Sequence, residues 1–189
     1  MTAACKFITN YSSGHETRAG AIGDERLSFI DRHIEIDNRL AWYLGRLHTK
    51  YGKDAYYVHL QRNLEDVAKS YAKRKKFGLM NMFNNGLLMG HDRSQLADLD
   101  LAREICITID SNIRHFLVDK PNQMEMHLES LDDDFQKFWR WISAEGDLES
   151  ALKSFEKPAN TTEDLKSKLD NSNSFVKRLV NKFKRAIGN

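Results

Sequence analysis

Cysteine is scarce in this chain, with Cys5 and Cys106 standing far apart. Both lie in apolar segments, the usual setting of small reduced core residues, so no disulfide framework is expected. No stretch approaches the ~20 apolar residues of a membrane span. The start, Met1-Thr-Ala-Ala-Cys5, is also not a basic segment leading into an apolar run. A cytoplasmic setting is therefore the expectation. A surplus of one charge is missing as well: 29 Lys and Arg face 27 Asp and Glu, a net charge of +2. That balance supplies no general pull towards nucleic acid, which is not expected as a partner, and any anion site has to be local. Internal repeats are absent too.

What is present suits a globular domain. The 189 residues are 41% hydrophobic and 10% aromatic, enough to enclose one core. Cys5 to Thr9 reads as a short buried strand, and Asn10-Tyr-Ser-Ser-Gly14 as the turn that follows it. A short helix is expected at about His15 to Ala21, then a partly extended stretch from Leu27 to Ile36. From Asp37, the spacing of Leu40, Tyr43, Leu44, Leu47 and Tyr51 predicts a helix closed by Gly52.

Ala55 to Leu60 is rich in aromatic and β-branched residues and predicts a strand, with Asn63 as the cap of the next helix. Leu96, Leu99, Ala102, Ile105, Ile109, Ile113, Phe116 and Leu117 trace one face of a long helix that Pro121 stops. A strand over Gln123 to Leu128 and helices over Asp133 to Ser143 and Gly146 to Phe155 complete residues 1–158. Strands alternating with helices predict an α/β fold with a small, mostly parallel sheet flanked by helices and a helix-rich C-terminal half. Residues 159–174 read as a polar linker. Residues 175–189 read as a basic amphipathic helix, suited to packing on the domain or resting on an anionic membrane surface.

The chemistry centres on Tyr57-Val-His-Leu-Gln-Arg62-Asn-Leu-Glu-Asp-Val-Ala-Lys-Ser70-Tyr-Ala-Lys-Arg74. A strand-end Arg offers a forked donor to a phosphate dianion, and a Ser two helical turns on can add a hydroxyl. This segment resembles the 3′-phosphate motif of the P-loop sulfotransferases. In that family a phosphosulfate loop follows the first strand. Here Ser12, Ser13, Gly14, His15, Glu16 and Thr17 stand in its place, with Ser12 where the family has Lys or Arg. No Gly-Lys-Ser or Gly-Lys-Thr of a nucleoside triphosphatase is present.

The resemblance, which covers about residues 5–150, implies a three-layer P-loop-type fold. It implies 3′-phosphoadenosine 5′-phosphosulfate as donor, with residues 12–17, Arg62 and Ser70 holding it, and a carbohydrate or glycolipid hydroxyl as acceptor. The segment Phe29-Ile-Asp-Arg32-His33-Ile-Glu35 supplies the catalytic candidates. His33 is the first choice of base, Glu35 the second, and Arg32 a stabiliser of developing charge. In-line transfer of this kind implies no metal. A non-catalytic nucleotide-binding or scaffolding module on the same fold is the alternative. Met124 to Leu131 resembles the family's late strand, with His127 and Glu129 expected to serve the fold. Trp139 and Trp141 are expected to pack.

Overall fold

The computed structural model describes residues 1–74, 78–89 and 97–156. The predicted linker over 159–174 and basic helix over 175–189 lie outside the described residues. Residues 1–153 form one compact unit.

The chain opens with helix α1 (Thr2–Cys5) and strand β1 (Ser12–His15), followed by a 3₁₀ turn at Gly23–Leu27 and strand β2 (His33–Ile36). A second 3₁₀ turn at Asn38–Trp42 leads into helix α2 (Leu44–Tyr51), strand β3 (Tyr57–Gln61) and helix α3 (Leu64–Ala72). Helix α4 (Gly78–Met82) continues as a π turn at Phe83–Leu87. Then come α5 (Asp98–Leu117), β4 (Gln123–His127), α6 (Leu131–Trp141) and α7 (Leu148–Lys153). The strands make two parallel pairs, β1 with β2 and β3 with β4, so the protein is α/β with small parallel sheets.

The long helix, the Asn63 cap and the two later strands fall close to where the sequence puts them. Asn63 Oδ1 accepts from the amides of Glu65 and Asp66, two donors that a helix start leaves without a partner. The apolar stripe of α5 buries Ala102 and Ile105 against Ala68 of α3 and Met80 and Phe83. Phe135, Phe138 and Trp139 form the buried face of α6, and Trp141 meets Tyr56 edge-on at 4.7 Å. Both tryptophans pack, as expected. Both cysteines are free; burial pushes each thiol up to about 11.

The N-terminal expectations need correction. Cys5 to Thr9 is not a strand: Thr2–Cys5 is helical, and Ile8 makes only an isolated antiparallel bridge to Gly146. The expected turn over Asn10 to Gly14 gives way from Ser12 onward to a strand, Ser12–His15. The reason is tertiary: Asn10 spends its amide on Ser143 O and Glu145 N, and Tyr11 donates to Ile142 O. The turn-forming side chain is thus used to cross to the end of α6, and the residues after it run on extended. The helix expected at 15–21 is a series of turns, because Glu16 sits at φ 53, outside the helical region. The helix expected from Asp37 to Tyr51 is broken at Tyr43, whose backbone (φ −118, ψ 19) separates the 3₁₀ turn from α2.

Candidate functional site

The register of β1 and β2 sets Ser12 beside His33 and Gly14 beside Glu35. Alternate residues of a strand share a face, so these four positions line one side of the sheet. Ser12 Oγ lies 2.8 Å from His33 Nδ1, and His33 Nε2 lies 2.9 Å from Glu35 Oε2. Thr17 clamps the same carboxylate, its amide donating to Oε1 at 2.7 Å and its hydroxyl to Oε2 at 2.6 Å. A carboxylate that receives all three groups acts as acceptor towards His33 Nε2–H. Nδ1 is then left to accept from the Ser12 hydroxyl.

Gly14 makes the clamp possible. A Cβ there would stand 2.1 Å from Thr17 Cγ2 and 3.5 Å from His33 Cε1, so a bare backbone is what lets Thr17 fold over the sheet. Phe29 stacks on His33 with centroids 5.7 Å apart and rings 9° from parallel. The side chains of His33 and Glu35 are 12% and 5% exposed, whereas Ser12 is open to solvent. The array therefore has a buried orienting end and an accessible hydroxyl end.

The other candidates from the first half lie around it. Arg32, at φ 52, lays its guanidinium over the Tyr11 ring, 5.8 Å from the centroid. His15 is exposed and 4.0 Å from Glu16, which pairs with Arg39. Ser13 continues β1.

Arg62 and Ser70 stand on the other sheet's unit. Arg62 follows β3 directly and is paired only loosely with Asp66, at 3.9 Å, its side chain 45% exposed. Ser70 Oγ accepts from Arg74 Nη2 at 2.9 Å, and Ser70 O accepts from Arg74 Nε at 3.1 Å. Asp66 and Ser70 lie four residues apart on α3 and so share one face of it, while Arg62 precedes the helix and Arg74 follows it. Arg74 is no candidate on sequence grounds, although this four-residue spacing is legible there. Asn63 N donates to Glu129 Oε1 at 2.7 Å, which ties the start of α3 to the end of β4. Glu129 thus serves the fold, as expected.

In the turn after β2, Arg39 pairs with Glu16. A separate cleft of about 680 Å³ is lined by Trp42, His48, Phe116, Asp119 and Lys120 among others. Lys120 is buried there, its Nζ 3.1 Å from His48 Nδ1 and bonded to Asp119. Nothing in the sequence pattern marks that cleft, because its residues come from segments about seventy positions apart.

Beneath α5, His59 is buried, 3.5 Å from Asp110 and flanked by Arg114, Glu125 and His127. Burial pushes its imidazole below the ordinary value, outweighing the upward pull of Asp110. The unfolded chain then binds a proton near pH 6.5 that the folded chain resists, so stability should fall as pH drops from 7 towards 5. Asp134 works in a lower window. The Lys137 ammonium, with the His127 amide and Ser130 hydroxyl, holds its carboxyl down at about 2. The stability it adds is present above about pH 4 and lost only below. Melting temperatures measured from pH 7.5 to 4.5 should show the first slope, and His59→Gln should flatten it. An unchanged slope in that variant would assign the effect elsewhere.

No family model, curated protein or solved structure matches this chain.

Proposed function

We propose that this chain is a sulfotransferase of the P-loop type, moving a sulfuryl group from 3′-phosphoadenosine 5′-phosphosulfate to a carbohydrate or glycolipid hydroxyl. The observation that carries the reading is the β3–α3 unit, in which a strand delivers Arg62 to a capped helix start and Arg74, just past the helix, hydrogen-bonds Ser70. These residues fit a 3′-phosphate. Among the described residues the Arg62 guanidinium is held by one 3.9 Å ion pair, and a phosphate near Ser70 would meet a second guanidinium from Arg74. His33 would accept the acceptor's proton at Nδ1, with Glu35 fixing the tautomer from the other side of the ring. When bound, the nucleotide would supply the activated sulfuryl group. A three-layer arrangement of the two sheets and their helices belongs to the same proposal.

Residues 12–17 fit the 5′-phosphosulfate less well. The Ser12 and Glu16 amides donate to Arg32 O and Ile36 O in the ladder, so they do not form an amide-lined cradle. That observation favours a second reading, a nucleotide-binding or scaffolding module without transfer activity. Titration calorimetry with adenosine 3′,5′-bisphosphate tests the nucleotide site. Arg62→Ala should weaken binding by at least ~1.5 kcal/mol, the low end for a charge-assisted bond. Equal affinity of the variant and the parent would remove the sulfotransferase reading and leave the scaffolding module. Binding without sulfuryl transfer to any hydroxyl acceptor would select the module.

A further inference from the structure

We infer that Ser12 is a nucleophile and that Ser12, His33 and Glu35 form a hydrolytic site for activated carboxylic esters. The inference goes beyond sulfuryl transfer and needs no nucleotide. Three groups lie in series along one sheet face: a solvent-exposed hydroxyl, an imidazole 2.8 Å from it, and a carboxylate 2.9 Å from the far ring nitrogen. This is the relation of nucleophile, base and orienting acid that acyl transfer requires, recognised by geometry and not by position in the chain. The orienting acid is fixed independently by the Thr17 amide and hydroxyl, so the imidazole cannot turn without breaking its bond to a carboxylate that is already held. Phe29 covers one ring face and adds to that restraint.

The parallel ladder also leaves a donor beside the nucleophile. The Ser12 and Glu16 amides point at β2, so the intervening amides of Ser13 and His15 point to the opposite, open edge of β1. A donor next in the chain to the nucleophile is suited to a tetrahedral oxyanion. In the first step the Ser12 oxygen bonds to the ester carbonyl carbon, its proton passes to His33 Nδ1, and the bond to the leaving alcohol or phenol breaks as that oxygen takes the proton back. In the second, water gives a proton to His33, its oxygen bonds to the acyl carbon, and the bond to Ser12 breaks as Ser12 recovers its proton. Ester and water become acid and alcohol. Ser12 and His33 are the catalytic residues, and Glu35 is a positioning residue.

The test treats the full chain with a fluorophosphonate probe and, separately, with p-nitrophenyl acetate. The expected result is one adduct, mapped to Ser12 by peptide mass, and an acetate hydrolysis that Ser12→Ala abolishes. His33→Gln should slow hydrolysis by at least ~100-fold, the low end for a general base. Ser12→Cys, which keeps a nucleophile in the same place, should retain a burst of p-nitrophenolate. Glu35→Gln should lower kcat and displace the pH profile while leaving KM unchanged. Circular dichroism establishes that each variant is folded. A folded parent chain without an adduct at Ser12 would overturn the inference, and so would labelling that both His33→Gln and Glu35→Gln leave unaltered.

Discussion

Arg26→Met is expected to lower the unfolding free energy by about 3–5 kcal/mol, the usual result of stranding one member of a buried ion pair. Arg26 Nη2 donates to Asp37 Oδ2 at 2.6 Å, and the two side chains are 2% and 0% exposed. The guanidinium also lies over the Tyr43 ring, 4.8 Å from its centroid. Methionine would replace the packed stem and the volume but leave the Asp37 carboxylate buried with only the Arg39 amide on its other oxygen. A buried, half-satisfied charge costs more than the ring stacking that the guanidinium supplies. The control is the double variant Arg26→Met with Asp37→Asn, which removes the charge and keeps an oxygen for the Arg39 amide. It should recover most of the stability, because the penalty belongs to the unpaired charge. Urea unfolding of the parent, the single variant and the double variant checks this. A double variant no better than the single one would show that the guanidinium matters through packing on Tyr43.

The pair also bears on the site. Asp37 follows β2 directly and caps the next 3₁₀ turn, so Arg26 pins the end of the strand that presents His33 and Glu35. The sequence pattern does not mark Arg26, which sits in a polar Gly-Asp-Glu-Arg-Leu segment. Its burial follows from the pairing of the first 3₁₀ turn, which carries it, with Asp37 at the start of the second.

The same limit governs what is legible elsewhere. Wherever structure is local, the residues announce it. Asn63 before Glu65 and Asp66 gives the α3 start, the long i, i+3, i+4 stripe gives α5, and Gly52 at φ 52 ends α2 where a helix-ending glycine should. Wherever structure depends on a partner distant in sequence, the local reading fails. Cys5-Lys-Phe-Ile-Thr9 has the composition of a strand, but it has no ladder to join: Ile8 finds only Gly146, and the residues before it coil into α1. Ser12-Ser-Gly-His15 has the composition of a turn and becomes a strand because β2 offers a parallel edge. His33, Glu35 and residues 12–17 become candidates through the family resemblance together with residue type. That Ser12 faces His33, and that Thr17 rather than Arg32 holds Glu35, follows from a register between positions some twenty residues apart, which periodicity does not encode.

Gly146 is the position where this dependence on a distant partner can be tested most sharply. Gly146→Ala is expected to cost about 3–5 kcal/mol, although alanine is ordinarily the mildest replacement for glycine. Its φ of 135 is a conformation that a side chain rarely tolerates. A Cβ would also stand 2.0 Å from Phe7 O and 3.1 Å from Phe7 C, both backbone atoms with no rotamer to change. Strain of about 1–3 kcal/mol therefore adds to the loss of the bonds around the bridge, each worth about 1 kcal/mol. Those bonds are Thr9 N to Glu145 O at 2.7 Å and Asp147 N to Phe7 O at 3.1 Å. Gly20→Ala is the matched control, since a Cβ there meets nothing within 4 Å, and it should change stability by less than about 0.5 kcal/mol. Urea unfolding measures both, and amide exchange at Thr9 and Asp147 in Gly146→Ala localises the damage. Ser12 lies only three residues beyond Thr9, so loosening this bridge frees the approach to β1 and should also slow probe labelling of Ser12. Equal stability of the two alanine variants would mean that the bridge does not hold the N-terminal segment in place, and that β1 keeps its register from β2 alone.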